Sequence, residues 1–470
     1  MKKFYIYGLL AAMAAFGACR TEKENKSGLP ALKVSENHRY LMTEDGKPFF
    51  WLGDTGWLLF NKLDRDQAVK YLDDRSKKGF NVVQAMVLHT VPSVNVYGDS
   101  SLVNANVSTP DTTAGNDFAD SAAYDYWDHV DYIIEKAEEK GIYMALVPVW
   151  GTNVKNGMVN SQQAEQYATF LTNRYKDRSN IIWLNGGDIK GSDSLQVWKT
   201  MGETLRKNDP NHLITFHPRG RTASSDWFHN EDWMDFNMVQ SGHRRYDQDT
   251  SSNEVKHYGE DNWKFMEADL KMKPLKPTVD GEPSYEGIPQ GLHDTLEPRW
   301  TDADVRRYGY WSVFSGAFGY TYGQNSLMQM HQKTDTTSAY GSKELWSEGI
   351  NAPGSSQMQY LKELMLSKPY FERVPDQSLL AENGEKYNRI LATRGKDYAF
   401  IYTYTGRNMK VNMGKIEGEK VKASWFDPRT GKYTDIAEIE NKGTHEFNPP
   451  GDEKNGNDWV LVLSSLGGSK

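Results

Sequence analysis

Short apolar runs alternate with longer amphipathic segments from about residue 49 to residue 324. The amphipathic segments carry apolar residues at helical spacing, and glycine follows two of them, as at many helix ends. They predict helices over residues 66–78, 124–140, 161–175, 194–207 and 356–367. The apolar runs predict buried parallel strands over residues 49–53, 80–88, 142–149, 180–185, 213–216, 235–240, 277–280 and 317–322.

Eight strands separated by helices predict an α/β fold of the closed (β/α)8 TIM-barrel type. An open, doubly wound sheet is the alternative, but a GxGxxG phosphate turn follows none of these strands. Residues 39–50, with Asp45-Gly46 at their centre, predict a hairpin that leads into the first strand. Residues 90–123 form a long polar loop, which predicts a lid or cleft wall, with a mobile loop of no such role as the alternative.

The pattern changes near residues 368–378, where short strands separated by turns replace the alternation with helices. These strands are predicted over residues 389–393, 398–403, 421–426 and 459–463. We therefore expect a barrel over residues 36–370 and a small all-β sandwich domain over residues 371–470.

The N-terminus has the pattern of a targeting segment. Two lysines precede an apolar stretch over residues 4–16, and Gly17-Ala18-Cys19 follows. Cys19 is the only cysteine, so we predict a lipoprotein signal peptide over residues 1–19, a tether over residues 20–35 and membrane attachment through a lipidated Cys19. An ordinary signal peptide is the alternative. The first interpretation implies a cell-envelope lipoprotein, periplasmic or on the outer-membrane surface.

Composition narrows the function classes. The net charge of −8 argues against nucleic-acid binding, which needs a basic surface. The chain has 14 Trp and 26 Tyr, which indicates either large cores or an open cleft lined with aromatic rings.

Active sites of such barrels lie at the carboxyl ends of the strands, so we expect the chemistry there. The histidines are scattered, and neither HxxxH nor HxH occurs among His89, His217 and His243. These three could still converge on a metal, but we predict neither a metal site nor a cofactor.

Two strand ends carry carboxylates after abrupt glycines, Asp188 after the fourth strand and Glu282 after the seventh. Glycoside hydrolysis needs an acid on the leaving oxygen and a second carboxylate on the other side of the sugar. We predict Asp188 as the acid/base and Glu282 as the nucleophile. Asp188 could instead cap a helix, and Asp280 is the rival of Glu282.

Further strand-end residues form the predicted substrate site. Trp57 and Trp150 are expected to stack on sugar rings, although core packing is the alternative for each. The remaining predicted binding residues are polar or aromatic: Asp54, His89, Asn185, His217, Arg219, Gln240, His243 and Tyr322.

At these motifs the chain resembles the apiosidase-like glycoside hydrolases, (β/α)8 enzymes of Bacteroidetes. The resemblance lies in WLGDTGW at 51–57, GFN at 79–81, WLNGGD at 183–188 and DGEP at 280–283. The tail, with WFDPRTG at 425–431, is similar to a β-domain labelled collagen-binding that often follows that barrel.

The resemblance implies a retaining glycosidase with an oligo- or polysaccharide substrate, and for some members pectin side chains with an apiose branch. In most members of the wider clan the acid is Glu directly after Asn, whereas here Gly186 and Gly187 separate Asn185 from Asp188. This departure leaves retention or inversion open. Two other functions stay open: a non-catalytic lipoprotein that binds glycan or collagen, and a metal-dependent hydrolase.

Overall fold

The computed structural model describes residue 1 and residues 28–467. The predicted signal peptide after Met1, Cys19 and the tether up to residue 27 lie outside the described residues. Within them, a barrel with its helices is followed by an all-β domain, which confirms the predicted fold class.

A small antiparallel sheet precedes the barrel. It consists of β1 (Leu32–Val34), β2 (Leu41–Thr43) and β3 (Pro48–Phe49). The β2–β3 pair confirms the predicted hairpin, with Gly46 at φ 84° in its turn. The predicted tether is too long by several residues, because β1 pairs with β2 and buries Leu32.

Eight parallel strands form the barrel, and each overlaps a predicted strand. The strands are β4 (Trp51–Thr55), β5 (Val82–Leu88), β6 (Tyr143–Val149), β7 (Ile181–Ile189), β8 (Ile214–Pro218), β10 (Asn237–Gln240), β11 (Thr278–Asp280) and β12 (Gly319–Tyr322), with a short antiparallel β9 (Thr222–Ala223) beside β10. The ladder runs from β8 through β7, β6, β5, β4, β12 and β11 to β10. At the seam between β8 and β10, the Asp235 amide donates to the Ile214 carbonyl at 2.9 Å.

Helices cover the barrel. They are α1 (Leu59–Lys62), α2 (Arg65–Lys77), α3 (Tyr126–Glu139), α4 (Gly151–Lys155), α5 (Ser161–Tyr175), α6 (Leu195–Asn208), α7 (Ser225–Phe228), α8 (Trp263–Asp269), α9 (Asp302–Phe314), α10 (Asn325–Met328), α11 (Trp346–Gly349) and α12 (Pro353–Leu366). Asp64, Asp125, Asn160 and Thr301 cap four of them through reciprocal bonds with the third helical residue. Across residues 28–467, no helix has the length and hydropathy needed to cross a membrane.

The C-terminal domain consists of antiparallel strands. They are β13 (Val374–Pro375), β14 (Ile390–Arg394), β15 (Tyr398–Thr403), β16 (Met409–Asn412), β17 (Lys420–Phe426), β18 (Tyr433–Glu440), β19 (Thr444–Phe447) and β20 (Trp459–Ser465). Six of them form one sheet in the order β13-β14-β15-β20-β17-β18, and β16 pairs with β19. Their core includes Ile401, Val411, Val421 and Leu461.

Candidate active site

The carboxyl ends of the barrel strands open into a cleft of about 520 Å³. Eight of the predicted site residues line it: Trp57, His89, Trp150, Asp188, Arg219, Gln240, His243 and Glu282. Both predicted catalytic carboxylates therefore reach one cavity, as a glycosidase requires.

A bulge at the end of β7 presents Asp188. The pairing with β8 passes from Gly186↔His217 to Ile189↔Pro218, so β7 advances three residues while β8 advances one. Gly186 and Gly187 have φ of 94° and 112°, and a Cβ on Gly187 would lie 2.7 Å from the Trp150 ring. The glycine pair thus permits the bulge that turns Asp188 toward the cleft.

Asp188 is exposed at the cleft surface, yet the cleft walls surround its carboxyl group and limit its hydration. This partial desolvation, together with the nearby charge of Glu282, raises the pKa of Asp188 to about 6. Contacts with His217, Gln240 and the Gly220 amide oppose the rise. Ser194, not Asp188, is the N-cap residue of α6, so the predicted alternative of helix capping does not apply.

Glu282 is almost fully buried, with 7% of the residue exposed. Burial alone would raise its pKa, but His217 and His243 outweigh that effect and lower the pKa of Glu282 to about 2. His243 Nε2 lies 3.3 Å from Oε1, and His217 Nε2 lies 3.1 Å from Oε2 at a bent angle. Glu282 is therefore ionised over the physiological pH range.

His217 contacts both acidic residues from below the cleft, where it is fully buried. Its Nδ1 accepts a hydrogen bond from the Asp188 amide at 3.1 Å. In a neutral imidazole the proton then resides on Nε2, the nitrogen that faces Glu282. One ring therefore fixes the β7 bulge and supports the Glu282 carboxylate.

Three predicted binding residues lie away from the cleft, and their side chains form hydrogen bonds in the protein interior. Asp54 is fully buried and accepts a hydrogen bond from Tyr71 at 2.6 Å, with Arg75 at 3.4 Å. Asn185 donates to the Trp198 carbonyl at 2.8 Å and so ties β7 to α6. The Tyr322 hydroxyl donates to Glu286 at 2.6 Å. Each side chain leaves its strand on the side opposite to that expected.

Asp280, the rival of Glu282, also points away. Its Oδ2 accepts hydrogen bonds from Ser241 at 2.6 Å, Asn262 at 3.0 Å and Ser312 at 3.1 Å. The carboxyl group is thus buried against α9, outside the cleft.

The expectation that residues 90–123 wall the cleft is wrong. This loop packs over the first helices instead: Asn61 donates to the Val94 carbonyl at 2.9 Å, and Trp127 donates to the Ser101 carbonyl at 3.0 Å. Most of the wall comes from loops after β8, β10, β11 and β12, and residues after β4 and β6, such as Trp57 and Trp150, complete it.

Several lining residues were not predicted. Tyr285 packs edge-on against His243 with centroids 4.7 Å apart, and it follows Glu282 by three residues. Arg221 and Glu254 form an ion pair at 2.7 Å in the wall. Tyr340 comes from the loop after β12. Only Tyr285 lies near a recognisable motif; the others are brought in by long loops.

The three histidines considered as metal ligands do not form one cluster. His217 and His243 face Glu282, whereas His89 Nδ1 lies 3.3 Å from Met86 Sδ. Among residues 28–467, no group of three or more His, Cys, Asp or Glu side chains has metal-site geometry.

A barrel with two carboxylates of opposite environment in one aromatic-lined cleft defines the class of (β/α)8 glycoside hydrolases. The protein-family model described as "Apiosidase-like, catalytic domain" matches residues 35–372. The chain therefore belongs to the apiosidase-like glycoside hydrolases, as its sequence motifs indicate, and it is a glycosidase. A second model, "Putative collagen-binding domain of a collagenase", matches residues 374–464.

Solved structures give the same result. The chain is 48% identical to a structure titled "Glycoside hydrolase", with a TM-score of 0.88, 94% of this chain and 98% of that one covered. It is 46% identical to a family 5 glycoside hydrolase from Bacteroides vulgatus, with a TM-score of 0.87 and coverages of 93% and 94%. No curated protein matches the chain.

Proposed function

We propose that this glycosidase retains anomeric configuration, with Asp188 as acid/base and Glu282 as nucleophile. The observation that carries the proposal is that both carboxyl groups line one cleft in opposite surroundings: Asp188 stands at the cleft surface with its pKa raised to about 6, whereas Glu282 is buried against two histidines with its pKa lowered to about 2. Two carboxyl groups with opposite protonation states are the arrangement that glycosidic cleavage uses.

In the first step, Glu282 attacks the anomeric carbon and the C–O bond to the leaving group breaks. The proton of Asp188 passes to the leaving oxygen, so that the alcohol departs neutral. The raised pKa of Asp188 keeps that proton available at mildly acidic pH.

In the second step, Asp188 accepts a proton from water while the water oxygen attacks the anomeric carbon and Glu282 departs as a carboxylate. Part of the raised pKa of Asp188 comes from the charge of Glu282, and an ester at Glu282 removes that charge. Asp188 is then more acidic and is ionised when the second step needs a base.

The low pKa of Glu282 favours retention over inversion. In an inverting enzyme Glu282 would have to activate water, and a carboxylate with a pKa of about 2 is a weak base. The same low basicity suits a nucleophile that must later leave. Glu282 is also nearly buried, with both oxygens facing histidines rather than open solvent.

For the substrate we propose a plant glycan of the pectin type or a host glycan. Trp57 and Trp150 line the cleft beside His217, 5.4 Å apart centroid to centroid, and Trp57 is buried in the core packing while Trp150 is half-buried. The half-buried Trp150 offers an apolar face for a sugar ring, while Arg219 and Gln240 supply polar groups. Family membership supports the pectin side chain as the first substrate to assay.

The test is a panel of plant and host oligosaccharides with products followed by proton NMR. We expect the released sugar to appear first in the anomeric configuration of the substrate and then to mutarotate. Initial appearance of the opposite anomer would overturn the retaining assignment. Glu282→Gln and Asp188→Asn enzymes, prepared in parallel, report any contaminating activity.

A further inference from the structure

The C-terminal domain meets the barrel around one buried arginine. Arg307 of α9 is fully buried and lies among four aromatic rings. Two belong to α9, Tyr308 and Trp311, at 4.7 and 4.8 Å from the guanidinium carbon. Two belong to the C-terminal domain, Tyr387 and Tyr404, at 5.1 and 5.2 Å. The two domains thus share one desolvated cation.

Glu260, in the long segment between β10 and α8, balances that charge. It is fully buried, forms an ion pair with Arg307 and accepts a hydrogen bond from the Tyr387 hydroxyl at 2.7 Å. A buried carboxylate needs such partners, because an unpaired charge in the interior is costly. Tyr387 therefore completes the environment of a barrel residue from the other domain.

The same segment forms part of the cleft wall, and we call residues 241–261 the cleft-wall loop. Next to Glu260, the Gly259 amide donates to Asp249 Oδ2 at 2.6 Å. Asp249 forms a buried ion pair with Arg221. Arg221 in turn holds Glu254 at 2.7 Å, and both line the cleft.

Tyr387 also contacts the start of this loop. Tyr246 packs against its ring with centroids 5.6 Å apart, and Tyr246 donates to Asp261 at 2.5 Å. The C-terminal domain therefore contacts the cleft-wall loop near both ends, at Tyr246 and at Glu260. Between these points lie Asp249 and Glu254, the two partners of Arg221.

We propose that Tyr387 is a positioning residue for substrate binding: it holds the cleft-wall loop through Glu260 and Tyr246, and so fixes Arg221 and Glu254 in the cleft. The C-terminal domain is then part of the active-site architecture. These contacts alone support the claim that Tyr387 holds the cleft-wall loop, whereas the effect on substrate binding also rests on the proposed function.

The experiment uses the full-length Tyr387→Phe and Tyr387→Ala proteins and begins with hydrogen exchange followed by mass spectrometry. Amides of residues 246–261 should exchange about tenfold faster in Tyr387→Ala, the scale of one lost hydrogen bond to a charged group. The Phe variant keeps the ring on Tyr246 and should show a smaller increase. Tyr433→Phe is the control: it removes the same hydroxyl from a tyrosine of the same domain that packs on Phe426.

The kinetic measurement separates positioning from chemistry. On a substrate that the wild type cleaves, KM should rise about three- to tenfold in Tyr387→Ala, with kcat within about twofold, since Arg221 and Glu254 do not carry the reaction. Wild-type exchange in residues 246–261 would overturn the proposal, and so would a faster-exchanging loop with unchanged KM. A uniform increase over both domains would mean general loosening and would also overturn it.

The two proposals fail in different ways. If the wild type cleaves no glycan on the panel, the proposed function fails, and the exchange experiment alone decides whether Tyr387 holds the loop. If Tyr387→Ala does not fold, the Phe variant gives the same decision at smaller amplitude.

Discussion

The ends of β7 and β11 each place a carboxyl group in the cleft, but the surroundings of these two groups shift their pKa values in opposite directions. Asp188 stands on a two-glycine bulge at the cleft surface, and its pKa is raised to about 6. Glu282 is nearly buried between two imidazole rings, and its pKa is lowered to about 2. The comparison shows that specific hydrogen-bond partners can outweigh burial in setting a protonation state.

The largest expected effect comes from removing either carboxylate. Glu282→Gly should lower kcat by at least about 10⁴-fold. Asp188→Ala should lower kcat by about 10²- to 10⁴-fold, and by the least for aryl glycosides whose good leaving groups need no protonation. Azide should then rescue both variants. In Glu282→Gly, azide attacks the anomeric carbon from the face opposite the leaving group and gives a glycosyl azide of inverted configuration. In Asp188→Ala, azide attacks the covalent intermediate on Glu282 and gives a glycosyl azide of retained configuration.

Asp280→Asn is the matched control, because Asp280 lies two residues from Glu282 and its carboxyl group faces Ser241, Asn262 and Ser312. We expect it to keep kcat within a few fold of wild type. If Asp188→Ala gave the inverted azide and Glu282→Gly the retained one, the roles of Asp188 and Glu282 would have to be exchanged.

A smaller effect is expected from His243→Ala. The change removes the group 3.3 Å from Oε1, so burial is opposed less and the pKa of Glu282 rises. The low pKa keeps Glu282 ionised down to low pH in the wild type. When that pKa rises in His243→Ala, the acid limb of the kcat/KM profile should move to higher pH. At that limb we expect kcat/KM to fall about 10- to 100-fold, the scale of a hydrogen bond to a charged group.

His445→Ala, in β19 of the C-terminal domain, is the matched histidine control and should leave the acid limb in place. An acid limb that stays at its wild-type position in His243→Ala would show that His243 does not set the protonation of Glu282.

The barrel could be predicted because each of its strands is an apolar run buried on both faces. Helix α9 and strand β18 are among the elements that were not predicted, because neither shows the sequence pattern that marks its type of element. Helix α9 is buried nearly all round, between the barrel and the C-terminal domain, so it lacks an amphipathic pattern. Strand β18 is exposed on both faces, so it lacks the alternation of a half-buried strand.

The candidate site divides in a similar way. Asp188 and Glu282 could be placed at one cleft from the sequence, because glycines mark both strand ends within a few residues. Asp54 and Asn185 also stand in strands, but the direction of a side chain depends on register and on bulges that the sequence does not state. Arg221 and Glu254 form an ion pair because two long loops pack against each other, and no local sequence pattern predicts that contact.

The smallest effect should come from Gln240→Ala, at the carboxyl end of β10. Gln240 lines the cleft, and its side chain lowers the pKa of Asp188 by hydrogen bonding to the ionised form. Without it the pKa of Asp188 rises, so the alkaline limb of kcat/KM should move to higher pH while the acid limb stays fixed. One lost hydrogen bond should also lower the plateau by about fivefold. A lower plateau with an unmoved alkaline limb would assign Gln240 to sugar binding alone, and Asp188 would then owe its raised pKa to partial desolvation by the cleft walls and to the charge of Glu282.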